Sequence, residues 1–234
     1  MIKNLFIYWG QKFVNAPTVV NKCLLSWKIR NPTWKIIELD DDNLNEYVNF
    51  DEIINIKNKN LSKNHYSDIL RTYLLDKYGG CWCDATTFCN EPLDNWLHKY
   101  IQTGFFAFDK PGKDRLLSSW FLYSEKNNYI ISKWKEEVIK YCNSHNEINT
   151  YFFYHYLFGD LYKKDKKFKS IWDSTPKISA DFPHFLQKNN LLSIPSNIVI
   201  NHINKKSLLY KLTYKLDMTQ YNDKCILAYL YKTI

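Results

Sequence analysis

The sequence predicts an α/β fold, a mostly parallel central sheet flanked by helices, and three observations predict it. Residues 4–39 read as strand, helix and strand with a short crossover, the pattern that builds a parallel strand pair. Residues 62–78 read as a long helix that two glycines deliver into a strand ending at Asp84. Residues 128–172 are helical in pattern almost throughout, an insertion beside the sheet.

Each element follows from its residues. Residues 4–9, NLFIYW, form a buried strand that Gly10 ends. Pro17 suits the first turn of a helix, where its missing N–H leaves nothing unpaired. That helix runs to about Arg30, and Asn31-Pro32 stops it. Residues 34–39, WKIIEL, form a second strand, and Asp40-Asp41-Asp42 offers caps for a short helix. Ser62 caps the next helix, in which Tyr66, Ile69, Leu70, Tyr73 and Leu74 line one apolar stripe. At about 100° per residue, Asp68 and Arg71 share the face opposite that stripe. Gly79-Gly80 ends the helix. The strand that follows, CWCDATTF, carries Cys81 and Cys83 on one face. Residues 104–108 and 118–123 read as further strands. Helices follow in NYIISKWKEEVIKYC, TYFFYHYLFGDLY and KFKSIW. From residue 191 the tail, LLSIPSNIVINH and onward, returns to strand-like and mixed segments.

Composition bounds the class. The chain has 234 residues without repeats or a Pro/Gly/Ser-rich linker, which predicts one domain. Aromatic residues make up 17%, far from a disordered composition. No apolar run approaches the roughly 18 residues a membrane span needs. The opening MIKNLFIYWG has neither the apolar core nor the cleavage site of a signal peptide, so a cytoplasmic protein is expected. The six cysteines fit reduced, buried thiols, without the spacing of a zinc site. Net charge is +8, and only Arg30, Arg71 and Arg115 are arginine. That balance permits attraction to nucleic acid, anionic lipid or phosphorylated substrates. The sequence carries no nucleic-acid-binding signature, so no nucleic-acid partner is expected.

In open α/β sheets ligands bind beyond the carboxyl ends of the strands. Those ends supply Trp9-Gly10-Gln11, Asp40-Asp41-Asp42 and Asp84-Ala85-Thr86. A carboxylate at a strand end after a Gly-Gly turn can meet a hard cation or a ribose hydroxyl; it can equally cap its own turn. The segment from Ser67-Asp68 through Arg71 to Tyr78-Gly79-Gly80 and Asp84-Ala85-Thr86 resembles the SD-x-x-R…YGG-x-x-x-D segment of bacterial capsular polysaccharide synthesis glycosyltransferases. These are related to glycosyltransferases with a DXD sugar-binding region, including initiating mannosyltransferases. Ile7-Tyr8-Trp9-Gly10-Gln11, Ser118-Ser119-Trp120-Phe121 and Asp181-Phe182-Pro183-His184 extend the similarity.

The resemblance implies a GT-A fold. A Rossmann-like nucleotide-binding half, about residues 1–110, would be continuous with an acceptor-binding half, about 111–234. It implies that Tyr8, Trp9 and Gly10 line the nucleotide pocket, Trp9 offering a face for base stacking. Asp68 and Arg71 would contact the donor, although an i,i+3 ion pair at the surface is the alternative. Asp84, with Ala85 and Thr86, matches the start of DXD and would be catalytic and metal-binding. Thr86 stands where DXD has its last aspartate, and a hydroxyl is a poor ligand for Mn²⁺ or Mg²⁺. Either Asp84 holds the ion with the diphosphate, or basic residues such as Lys205 and Lys206 replace it. His184 is a candidate base, and His202 a candidate donor contact. Trp120 could stack on an acceptor sugar or pack in the core. His155 sits in an aromatic helix and reads as core.

The function expected from the resemblance is transfer of a sugar from a nucleotide-sugar donor, a uridine diphosphate sugar first. The acceptor would be a capsular or cell-surface polysaccharide, lipid-linked at the inner face of the membrane, with peripheral attachment to anionic lipid. The alternative is a non-catalytic nucleotide- or glycan-binding module with a degraded site.

Overall fold

The NLFIYW run forms strand β1 (Asn4–Tyr8). Helix α1 (Thr18–Arg30) crosses over to β2 (Lys35–Leu39), which pairs with β1 in parallel. Helix α2 (Lys63–Tyr78) starts at Ser62, whose hydroxyl accepts the His65 N–H at 3.2 Å. Gly79 takes φ 67° and Gly80 φ 103°. A Cβ at Gly80 would lie 2.4 Å from the Asn4 carbonyl oxygen, so the chain needs glycine there to turn and enter β3 (Gly80–Asp84) beside β1. The computed structural model describes residues 1–49, 61–145, 147–148, 150–204 and 207–234; Lys205 and Lys206 lie outside them.

After β3 the chain turns through Ala85-Thr86 into the short β4 (Thr87–Cys89) and the one-turn α3 (Leu93–Trp96). Strands β5 (Phe105–Gly112) and β6 (Arg115–Ser124) then form a hairpin, each longer than the segments expected from sequence. The sheet order is β2-β1-β3-β6-β5. Only β6 runs against the others, so four of the five strands point one way. The helical insertion is α4 (Tyr129–Ser144), α5 (Phe153–Lys164) and α6 (Lys166–Ser174). Asn128 caps α4 and Asp165 caps α6 through their side-chain oxygens.

Alternation along the strands fills both faces. Phe6, Trp82, Phe105 and Leu122 face the layer made by α2, α4, α5 and α6. Leu5, Ile7, Cys81, Cys83, Phe106 and Phe121 face α1, Trp34 and Trp96. Both thiols of CWC thus share one face, and all six cysteines are buried and outside any disulfide. Trp27 of α1 is stacked on Phe121 with ring centroids 5.9 Å apart, and its indole donates to the Thr87 carbonyl at 2.8 Å.

The C-terminal part departs from the strand-like expectation. Residues 181–184 form the one-turn α7 (Asp181–His184), and residues 197–204 form α8 (Asn197–Asn204). Val199 and Ile203 of α8 are buried, four residues apart on one helical face, and that spacing outweighs the β-branched composition of NIVINHI. The one strand here among the described residues is β7 (Leu209–Lys211), antiparallel to β4. The chain closes on α9 (Ile226–Tyr231). A third core, with Val19 and Cys23 of α1, Phe88 of β4 and Tyr210 of β7, ties this region to the sheet layer.

Candidate functional site

The carboxyl ends of β1 and β3 lie level, Tyr8 opposite Asp84 in the parallel register. They open onto a cleft of about 760 Å³. At its floor Asp84 meets two cations. Lys211 Nζ lies 3.0 Å from Asp84 Oδ2, and Arg71 Nη2 lies 3.4 Å from Oδ1. Oδ1 also accepts the Trp82 indole N–H at 3.0 Å. Arg71 reaches Asp68 Oδ1 at 3.3 Å, so one guanidinium bridges both carboxylates. Its Nη1 and Nε donate to the carbonyls of Ser119 at 2.6 Å and Ser67 at 3.1 Å. The rings of Trp82 and Tyr154 flank it, with centroids 5.2 and 5.7 Å away.

The surface ion pair read as an alternative for Asp68 and Arg71 is therefore replaced by a buried network: Asp68 is 7% and Arg71 4% exposed. Helix α2 is covered on both sides, by the sheet and by the helical insertion, so its polar face is an interior face. Burial pushes the Asp68 carboxyl up to about 7, against the pull of Arg71 and with a further push from Asp84. At Asp84 burial also pushes upward, but Lys211 and Arg71 win and hold the carboxyl below its ordinary value.

Lys211 has no counterpart among the residues expected from sequence. It arrives on β7, directly opposite Thr87 of β4, and the Leu212 N–H donates to the Thr86 carbonyl at 2.8 Å. That pairing aims its ammonium at Thr86 Oγ1, 2.7 Å away, as well as at Asp84. It is separated from Asp84 by 127 positions and sits in no motif.

Most of the expected site residues converge here. Tyr8, Trp9, Gly10, Asp68, Arg71, Asp84, Ala85, Thr86, Trp120 and His184 all line the cleft. Tyr8 donates its hydroxyl to Asp41. Gly10 leaves room for that contact, since a Cβ would sit 2.9 Å from Asp41's carboxylate. Trp9 meets Tyr214 edge-on at 5.2 Å. His202 is placed elsewhere. It lines a separate small apolar pocket and stacks on Phe185 at 3.8 Å. His155, read as core, instead lines the cleft. Its imidazole is held down to about 3, by burial first and then by Arg71 and Arg115.

His184 packs 5.6 Å from Trp120. Burial, with Lys211 and Lys188 nearby, holds its imidazole down to about 4. At neutral pH it is therefore uncharged. Five buried polar atoms of residues that line the cleft find no hydrogen-bond partner among the described residues: Trp9 Nε1, Arg115 Nε, Ser118 Oγ, Trp120 Nε1 and His155 Nδ1. Buried polar atoms are seldom left so.

The donor set does not fit a resident Mn²⁺ or Mg²⁺ at Asp84. Both carboxylate oxygens face cations, and Thr86 Oγ1 accepts from Lys211. Among the described residues no group of three or more His, Cys, Asp or Glu could hold a metal ion.

Three comparisons bear on this site. A family model described as "Capsular polysaccharide synthesis protein" matches residues 1–232. The chain is similar to "O-glycosyltransferase braB" of Annulohypoxylon truncatum, at 27% identity over 153 residues, covering 57% of this chain and 36% of that protein. It is also similar to "O-glycosyltransferase PaGT" of Phomopsis amygdali, at 23% identity over 152 residues, covering 57% and 37%. The chain thus spans a little over a third of the length of these curated relatives. Among solved structures it is similar in fold to "PaToxG Glycosyltransferase", with TM-score 0.50, 13% identity and coverage of 99% of this chain and 84% of the other.

Proposed function

Because the chain belongs to the capsular polysaccharide synthesis protein family, matched over residues 1–232, we propose that it is a glycosyltransferase. It takes a sugar from a nucleotide-sugar donor, a uridine diphosphate sugar in the first instance. The acceptor is a hydroxyl of a capsular or cell-surface glycan carried on lipid. The observation that carries this reading is the meeting of Asp68, Arg71 and Asp84 within 3.4 Å at the cleft floor. These are the fixed letters of the SD-x-x-R…YGG-x-x-x-D segment, and they converge where an α/β sheet binds its ligand.

The chemistry is displacement at the anomeric carbon. The acceptor oxygen forms the new bond, the bond to the diphosphate breaks with its electron pair, and the acceptor proton leaves to solvent or to the departing phosphate. Positioning and charge neutralisation supply most of the rate in such a step. Trp9 and Tyr214 offer aromatic surface for the base. Trp120 and Ser118 line the same cleft, and Trp120 offers aromatic surface to a sugar. The donor half is assigned to about residues 1–110 and the acceptor half to about 111–234. No helix among the described residues is long and apolar enough to cross a membrane. The net charge of +8 supports peripheral attachment to an anionic membrane face.

The test is a donor screen of the purified chain against UDP-, GDP- and CMP-sugars, reading free nucleotide and sugar product. Turnover with one nucleotide class is the expected result. Tight binding without release of sugar from any donor would favour a non-catalytic module instead.

Asp68 gives this reading a pH signature. Ionised, it brings the Asp68–Arg71–Asp84–Lys211 cluster to zero net charge; protonated, it leaves the cluster at +1. Its carboxyl titrates at about 7, so a nucleoside diphosphate is expected to bind more tightly as pH falls from 8.5 to 6.5. The terminal phosphate, with its own ionisation near about 6, stays mostly charged in that window. Titration calorimetry of UDP across those pH values checks it, and Asp68→Asn should flatten the slope. An unchanged slope in that variant would remove Asp68 from the effect.

A further inference from the structure

Thr86 and Lys211 together make an arrangement that the resemblance did not imply. Asp84 and Thr86 leave β3 on the turn toward β4, and the β4–β7 ladder brings Lys211 between their side chains. The ammonium gives one proton to Asp84 at 3.0 Å and one to Thr86 at 2.7 Å. An ammonium has three, which leaves one for an oxygen in the cleft that Lys211 lines. Its side chain is 16% exposed, so its charge works in a partly desolvated setting. The two carboxylates of the floor already balance Arg71 and Lys211. Among the described residues of the cleft lining, an added divalent ion would find no carboxylate free of a cation, and neither Lys nor Arg can ligate it.

We propose that Lys211, held by Asp84 and Thr86, neutralises the leaving nucleoside diphosphate, so that transfer needs no divalent ion. The proposal rests on the glycosyltransferase reading above. As the bond from the anomeric carbon to the diphosphate breaks, the electron pair goes to the phosphate oxygen. Lys211 stays protonated and donates a hydrogen bond to that charge throughout. Thr86 is then a fitting residue where a second aspartate would stand. It accepts from the ammonium without adding a negative charge that would repel the diphosphate. Asp84 becomes a positioning residue, acting through Lys211. Sequence gives no hint of this, because the lysine comes from a three-residue strand 125 positions beyond Thr86.

The experiment uses the full chain in EDTA, and again with Mn²⁺. UDP, GDP and CDP, each beside its monophosphate, are followed by calorimetry, and donor turnover is read under the same conditions. The expected result is diphosphate binding and turnover that survive EDTA and change less than twofold with Mn²⁺. Lys211→Met should weaken the diphosphate by about 10–100-fold, the range of one hydrogen bond to a charged group, and leave the monophosphate nearly unchanged. Lys211→Arg should recover most of the loss. A structural role alone would not move the diphosphate-to-monophosphate ratio. Turnover that EDTA abolishes and Mn²⁺ restores overturns the proposal on wild-type protein alone, whatever the variants' stability. A Lys211→Met protein that keeps the wild-type ratio also overturns it. Restoration by Mn²⁺ leaves the glycosyltransferase reading standing. No nucleotide binding or turnover in any arm defeats that reading, and this proposal with it.

Discussion

Arg71→Met is expected to destabilise the fold by about 3–5 kcal/mol, the cost of breaking a buried ion network by removing one partner. Methionine fills much of the same volume between Trp82 and Tyr154, so a cavity is not the cause. The cause is what remains. Asp68 is 7% exposed and has its guanidinium partner only 3.3 Å away. The Ser119 carbonyl loses a 2.6 Å donor, and Asp84 keeps Lys211 but loses its second cation. The Asp68 carboxyl, already pushed up to about 7, escapes by protonating. The loss should therefore grow as pH rises above that value. Urea denaturation at pH 6 and pH 8 measures both effects. Asp68→Asn in the Arg71→Met background should return part of the stability, because the pair is in direct contact and its changes are not additive. A loss below about 1 kcal/mol, the scale of an exposed ion pair, would show that water reaches the network.

Asp84→Asn should lower donor turnover by about 10²–10³-fold, the scale of removing one well-placed electrostatic group. Asparagine keeps the shape but has one acceptor oxygen, so it can accept from Trp82 or from Lys211 and not from both. What it lacks is the charge that fixes Arg71 and Lys211 in place. The floor would go from zero to +1, so nucleotide binding should hold or strengthen while kcat falls. That split separates loss of positioning from loss of a binding contact. Asp84 is also the more open of the two carboxylates, its side chain 28% exposed against 10% for Asp68. Stability should accordingly change far less than in Arg71→Met. A variant with full kcat would remove Asp84 from the reaction.

The parts of the site carried by local chemistry were readable in the sequence. Ser62, Gly79 and Gly80 bracket a helix, and the i,i+3 spacing of Asp68 and Arg71 puts both on one side of it. The strand ends at Tyr8 and Asp84 follow from the β1–α1–β2 pattern and the Gly-Gly turn. What could not be read is what meets that helix face. Polar residues opposite an apolar stripe look solvent-facing until a second layer covers them, and here the helical insertion does so. The same holds for His155, since an aromatic helix carries no visible mark for the turn that borders a cleft. In α8 the apolar run NIVINHI satisfies a strand and a helix alike, and only the burial of Val199 and Ile203 four residues apart decides it. His202 stands beside a motif-like segment, yet that helix turns it onto Phe185. Lys211 is the clearest case of a long-range partner, invisible because its role is set by β-pairing across more than a hundred residues.

The β4–β7 ladder also sets a schedule for the molecule. The five strands of the sheet all lie before residue 125, with Ser179 adding one later bridge to Asp109, and the pairings among the strands can form while much of the chain is still emerging from the ribosome. The floor of the cleft cannot be completed then. Until Leu209–Lys211 docks on Thr87–Cys89, Asp84 has Arg71 alone as counter-charge among the described residues of the floor. Closing so long a loop is slow and comes late in folding. A nascent or interrupted chain would therefore carry the strand pairings of the sheet without the completed floor of the cleft.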